Sequence, residues 1–369
     1  MSQDIMSVGA VPAGGELPAC TIGLDVGDRV SHFYGVDRTG VKMAEGRVAT
    51  TPAALSAHFA TLAMARVVLE CGTHSPWISR ALASWGHEVI VANARRVELI
   101  SRNDSKCDRV DAELLARLGR VDTQLLRPVH HRDARAQAHL AHLRSRDALV
   151  RSRSMLVTHV RGTVKAVGGR LPKCSTESFT RQTRAALPRV APALSEVLEP
   201  VLAVLDTLSA QIRQSDRQVT TLADTTYPET RPLRAIAGVG ALTALCFVLT
   251  LEDPHRFSTS RAVGSYLGLR PRMRASSAKD PELHITKAGD VLLRRLLVGS
   301  AQYILGPFGP DTDLRRWGLR LAARGKKAAK NRAVVAVARK LAVLLHHLWL
   351  TQEAYVPVQP RRRAAAAAA

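Results

Sequence analysis

The chain has 369 residues, too many for one ordinary core and suited to two domains. Hydrophobic residues make up 46%, which excludes global disorder, and aromatics at 4% argue against a base-stacking platform as the main mode of binding. The net charge of +22 calls for a polyanionic partner, and the excess is unevenly placed: residues 21–125 carry 13 Lys/Arg against 12 Asp/Glu, residues 126–369 carry 40 against 17.

In chain order, a Gly/Pro-containing start over residues 1–19 is expected to be disordered. CTIGLDVG then predicts a buried strand, and SHFYGVD and VKMAEGRVA two more, joined by a turn at Arg38-Thr39-Gly40. Pro52 opens a helical pattern, RVVLE is a short apolar strand, SPWISRALASWG a helix and HEVIVANA another strand. DRVDAELLARLGR closes the unit as an amphipathic helix with acids in its first turn. The order βββαβαβα is that of an α/β RNase H-like domain, expected over 20–128.

A helical arm is expected over 129–226. It begins with one long basic helix, passes a looser stretch near 168–192 that reads as a linker, and continues into a 4-3 spaced series. That series is Leu194, Leu198, Val201, Leu205, Leu208, Ile212, Ser215, Val219, Leu222, and it predicts a coiled-coil seam used for self-association. Pro200 is expected to kink the helix or to mark where its regular part begins. From Leu233, RAIAGVGALTALCFVL predicts a helix–hairpin–helix-like start with Gly238 and Gly240 in a tight turn, leading a mainly α-helical, basic domain over 227–356. RRRAAAAAA falls in a low-complexity tail, 357–369.

Five isolated cysteines exclude a disulfide framework and zinc knuckles, pointing to a reducing cytoplasm. The first twenty residues lack a signal peptide's basic and apolar regions. Arg339 and Lys340 interrupt the longest apolar run, so no membrane span is expected.

The chemistry sits on acids. Asp25 lies on the first strand between Gly23 and Gly27, and Glu70 ends RVVLE, a neighbouring strand in an RNase H-like order. Asp108 and Asp111, three apart, share a face of the closing helix. Four converging carboxylates repel unless divalent cations neutralise them, and an all-oxygen set suits Mg²⁺ or Mn²⁺. Taken singly, each acid also fits an ordinary turn, cap or first-turn position. GLDVG is like the first phosphate loop of sugar kinases too, but a second Gly-rich loop and an adenosine motif are missing from the sequence.

GLDVG, VVLECG, KCDRVDAELLARL, IAGVGALTAL, DPHRFSTSRAVGSYLGLRPR, ITKAGDVLLRRLL and GPFGPDTDLRRWGLRLAARGKKAAKNRAVVAVARKLA together resemble the DEDD transposases of the insertion sequence one-ten family, over roughly residues 20–356. The resemblance implies a RuvC-like first domain with Asp25, Glu70, Asp108 and Asp111 as the metal-binding tetrad. It also implies a serine nucleophile in RPRMRASSAKD, where a gap-free match selects Ser276 and leaves Ser277 as the alternative. Arg270, Arg272, Arg274, Lys279 and Lys287 surround that serine as candidate phosphate ligands. The implied reaction is DNA strand exchange through a phosphoserine, in a homo-oligomer (dimer or tetramer) at the bacterial nucleoid. Its partners are donor and target DNA and a structured guide (bridge) RNA. A hydrolytic junction resolvase and a non-catalytic nucleic-acid scaffold are the alternative readings.

Overall fold

A computed structural model describes residues 18–93, 108–272 and 283–358. The chain divides into two compact units, residues 10–133 and the part from Ala134 onward.

The first unit is built on five strands: β1 (Cys20–Asp25), β2 (Val30–Asp37), β3 (Lys42–Ala49), β4 (Arg66–Glu70) and β5 (Glu88–Ala92). Three helices accompany them: α1 (Pro52–Phe59), α2 (Ser75–Ser84) and α3 (Asp108–Val121). The sheet order is β3-β2-β1-β4-β5, with antiparallel pairs among the first three strands and parallel pairs β1–β4 and β4–β5. This is the mixed sheet expected from the sequence. Thr51 caps α1, its hydroxyl accepting from Ala54 N, and Pro52 fills the first helical position where no backbone N–H is needed.

Strand alternation sorts the two faces. Ile22, Leu24, Val67 and Leu69 join Leu55, Phe59, Ile78 and Leu82 in one core under α1 and α2. On the other face Tyr34 and Val36 meet Ala112 and Ala116, and Val68 meets Leu115, so α3 covers β2, β1 and β4. Two glycines set how closely it lies. A Cβ on Gly23 would fall 1.9 Å from Ala112 O and 2.5 Å from Ala116 N, and one on Gly119 would fall 2.3 Å from Val68 Cγ2. The far end of α3 is tied down by arginines: Arg66 Nη1 donates to Gly119 O at 3.0 Å, and Arg120 Nη1 to Arg38 O at 3.2 Å.

The second unit is helical. It runs α4 (Ala134–Ala166), α5 (Phe179–Val190), α6 (Ser195–Thr225), α7 (Thr230–Arg234), α8 (Ala241–Leu251), α9 (Ser260–Tyr266), α10 (Val291–Leu305), α11 (Asp313–Ala322) and α12 (Lys327–Thr351). Every residue of α8 from Thr243 to Leu251 is buried, as befits a helix apolar all round, and it forms a core with parts of α10 and α12.

Two expectations for the arm are corrected. The stretch near 168–192 is not simply a linker, because it contains α5, whose Phe179 and Leu187 are buried beside Val160, Val164, Leu198 and Leu202. The apolar face of α6 does not await a second subunit: α4 packs along it, antiparallel, with His142 Nε2 3.2 Å from Ser215 Oγ and Arg153 beside Ser209. The buried series is Leu198, Leu202, Leu205, Ser209, Ile212, Ser215, Val219, Ala223, one residue later than expected at three positions. Pro200 lies inside α6, in its second turn. Among the described residues α12 is long and apolar enough to cross a bilayer by length and composition, despite Arg339 and Lys340; half of its apolar window is buried in this unit.

Gly23→Ala drives a methyl group into α3's backbone, which cannot turn aside as a side chain can. Urea unfolding is expected to show a loss of about 3 kcal/mol, against near-neutrality for Gly72→Ala, where the added methyl meets nothing within 4 Å.

Candidate active site

The acids read from the sequence fall on the α3 face of the sheet. Gly23 and Asp25 share the face opposite Ile22 and Leu24, and Glu70 shares the face of Val68. Leu24 pairs with Leu69 in the parallel register, so the next positions, Asp25 and Glu70, end adjacent strands side by side. Alternation brings His32 to the same face as Tyr34 and Val36, and it is Asp25's cross-strand partner in β2.

The first turn of α3 lies on this face too, Asp108 reaching His32 and Ala112 meeting Gly23. Asp111 is 6% exposed, beside Ala112 where the helix meets Gly23, and its Oδ1 is buried with no hydrogen-bond partner. A buried carboxylate oxygen without a donor is costly, so a positive group there would be stabilising. Asp108 differs. Its side chain is 69% exposed, and its Oδ2 lies 3.5 Å from His32 Nε2. Among the described residues no three acid, histidine or cysteine side chains gather closely enough to enclose an ion. The donors are nonetheless oxygens, two on adjacent strand ends and one a buried oxygen lacking a donor. Such a set can take a hard divalent cation once its side chains turn toward it.

The loops around these strand ends are well held. Thr50 Oγ1 donates to Gly27 O at 2.9 Å and lies 2.8 Å from Ser31 Oγ, fixing the turn after Asp25. Past Glu70, Ser75 Oγ accepts from Gly72 N at 3.0 Å, donates to Gly72 O at 2.8 Å and lies 2.8 Å from His131 Nε2. His74 accepts from Trp77 Nε1 at 3.1 Å and turns its Nε2 toward Asp28 Oδ1, 3.4 Å away, linking the two loops. Sequence reasoning passed over His32, Ser75 and His131. For His32 the signal was present, since SHFYGVD puts histidine two residues before Tyr34 on the same face; for Ser75 and His131, 56 residues apart, it was not.

The serine segment rises from a described stem in the helical unit. Pro271 and Ile285 form an antiparallel bridge, Arg272 N donates to His284 O at 3.0 Å, and Thr286 N to Arg270 O at 2.9 Å. Below it, Gly268 and Gly289 take positive φ where their chains press on Ala288 and Tyr266, contacts that a side chain would block. Arg270, Arg272 and Lys287 are exposed on this stem. Ser276, Ser277, Arg274 and Lys279 lie outside the described residues. Elsewhere in this unit, Gly238 adopts φ +88° and Gly240 caps α8, beside an open groove of about 550 Å³ lined by Arg234, Arg295, Ser300 and Tyr303.

Comparison with known proteins defines the class. A family model described as "Transposase" matches residues 22–168, and one described as "Transposase IS116/IS110/IS902 family" matches 230–312. The transposase for insertion sequence element IS1111A of Coxiella burnetii is 29% identical over 338 residues, covering 90% of each chain. A Pseudomonas aeruginosa protein named "Probable family 20 transposase" is 29% identical over 91% of this chain and 98% of its own. The transposase for insertion sequence element IS1328 of Yersinia enterocolitica is 27% identical over 76% and 82%. These matches define an enzyme of the DNA transposase class. The chain belongs to the IS110 family of insertion-sequence transposases.

Burial, together with Arg80, Arg132 and His130, holds His131 below the ordinary histidine pKa, and burial does the same at His58 and His346. Below about pH 6.5 the unfolded chain binds these protons first, so this stability is complete above that pH and is lost as pH falls toward the depressed folded values. Denaturant midpoints are expected to drop between about pH 7 and 5, and His131→Gln to make that dependence shallower.

Proposed function

We propose that this transposase cuts and rejoins DNA with two sets of groups: carboxylates that hold a divalent cation, and a serine that forms a covalent bond to DNA. The observation that carries the first part is Asp111's buried, undonated Oδ1 on the helix that covers the sheet face shared by Asp25 and Glu70. Asp25, Glu70 and Asp111 are the assigned ligands. Asp108 joins them by leaving His32, a turn of one exposed side chain. Mg²⁺ or Mn²⁺ bound there would neutralise the carboxylates and polarise a phosphodiester oxygen. Thr50, Ser75 and the His74–Asp28 pair keep the two loops from spreading as charge accumulates.

Ser276 is assigned as nucleophile. Its oxygen attacks phosphorus and gives up its proton, the bond from phosphorus to the 3′ oxygen breaks, and that oxygen leaves protonated as a 3′-hydroxyl. Attack by another strand's hydroxyl reverses the step and releases the serine. Arg270, Arg272, Arg274, Lys279 and Lys287 are read as phosphate ligands around it, charge-assisted donors suited to scissile oxygens. The α7–α8 turn is read as a helix–hairpin–helix whose amides face a phosphate. A structured guide RNA pairing with donor and target DNA belongs to this reading through the family resemblance alone. A homo-oligomer is proposed because strand exchange needs more than one cutting site; the α6 seam does not make it, since α4 fills that seam. The reaction takes place in the cytoplasm, at the nucleoid.

Labelled DNA on denaturing gels tests the covalent step. Wild type and Ser277→Ala are expected to give a protein–DNA adduct, and Ser276→Ala to bind DNA without one. An adduct that survives Ser276→Ala and vanishes in Ser277→Ala moves the nucleophile by one residue. Cut ends without any adduct in the wild type make the enzyme hydrolytic.

A further inference from the structure

The second unit's cations are not equivalent. Along the arm several are paired: Arg146 with Asp216, Arg153 and Arg213 with Glu177, and Arg184 with Glu199 and Asp206. Such pairs bridge α4, α5, α6 and the Glu177 segment, and the cations in them leave little charge for a ligand. The elbow between α11 and α12 is the opposite case. Residues 314–352 contain ten Lys and Arg and no Asp or Glu. Arg320, Arg324, Lys326, Lys327 and Lys330 are all exposed there, and none has an ion pair or side-chain hydrogen bond among the described residues.

The elbow is firmly built. Gly318 lets α11 lie on α12, since a Cβ there would meet Val337 Cγ2 at 2.5 Å and Leu305 Cδ2 at 2.7 Å. Arg324 N donates to Leu321 O at 3.3 Å and Ala329 N to Lys326 O at 3.0 Å, so the turn is hydrogen-bonded on both sides of Gly325. Lys327 and Lys330 are three apart on α12, which puts them on one side of that helix, while Arg320 ends α11 and Arg324 lies in the turn. The three lysines also crowd the end of α12 whose amides are already positive, with no acid in the first turn to offset them. The patch therefore repels itself in the free chain, and a polyanion relieves that repulsion. From Arg320 to Arg332 its exposed side chains are long cations and alanines, with Asn331 as the one neutral polar group. That chemistry grips phosphates and does not read bases.

We infer that the α11–α12 elbow is a sequence-independent contact for the phosphate backbone of duplex DNA, separate from the serine stem. The partner's identity rests on the transposase class of the chain; the surface itself rests on the unpaired cations.

The test uses the full chain and a short labelled DNA duplex of arbitrary sequence, with anisotropy measured over a range of salt. In the triple variant Lys326→Ala, Lys327→Ala, Lys330→Ala the log–log salt slope is expected to shrink by about 2–3, with at least tenfold weaker binding at low salt. Its melting temperature should equal or exceed the wild type's, because removing these lysines relieves repulsion. Lys165→Ala, Arg170→Ala, Lys173→Ala removes the same charge from another part of this unit and should change the slope by less than one. The inference is overturned if the elbow variant keeps the wild-type slope, if the two triple variants lose affinity equally, or if the loss appears only with an RNA duplex of the same length.

Discussion

The near-contact of helix α3 with strand β1 at Gly23 is the constraint on which the first unit depends. With no side chain at Gly23, Ala112 O and Ala116 N come close enough that a Cβ would collide with both. A second small residue, Gly119, brings the far end of the helix close to the Val68 side chain. The helix is thereby laid across β2, β1 and β4, on the sheet face that carries Asp25 and Glu70. Asp111 pays for this closeness: it is buried beside Ala112 with one oxygen undonated. Packing and chemistry therefore oppose each other at the same turn of helix, which is where functional groups are expected to break the local rules.

Much of this was legible in the sequence for identifiable reasons. The strand patterns of CTIGLDVG and SHFYGVD, the short apolar run RVVLE, the Pro52 helix start and the acids opening α3 are local signals, and they yielded the element order and the mixed sheet. The glycines flanking Asp25 also pointed to close approach. The arm was legible only by half. Spacing revealed that α6 has an apolar face, but spacing cannot say which helix covers it, and α4 from the same chain does so. The series was also displaced by one at Val201/Leu202, Leu208/Ser209 and Leu222/Ala223, because apolarity favoured the larger side chain where the packing buried its neighbour in two of these three pairs. The stretch holding α5 looked loose because Gly, Pro and Ser cluster before it, while its own buried residues, Phe179, Ala186 and Leu187, are few.

Pairings between distant residues were not legible at all. His131 meets Ser75, and Thr50 reaches the loop after Asp25, only because the sheet brings separate loops together. The serine stands apart again. A Ser-Ser pair in a basic loop is ordinary filler by composition, and only the resemblance of whole motifs singles out Ser276.

The charge excess has a structure of its own. Net charge alone predicted a polyanionic partner, but it could not tell which cations meet one. The ion pairs make part of the division: Arg146, Arg153, Arg184 and Arg213 in the arm neutralise neighbouring acids, while the acid-free α11–α12 elbow keeps its charge. Exposed ion pairs contribute little stability each, so the arm's pairs matter more for removing charge from solution than for holding the fold.

Thermal unfolding of the full chain against increasing Mn²⁺ tests most directly whether Asp25, Glu70 and Asp111 hold a cation. A ligand that binds only the folded chain adds about 2.7 kcal/mol at a hundred times its dissociation constant. The wild type is expected to show a saturable rise in melting temperature, and Asp111→Asn, which keeps the shape and removes the charge, to show none. An equal rise in Asp111→Asn would contradict the assignment of this sheet face as the cation site.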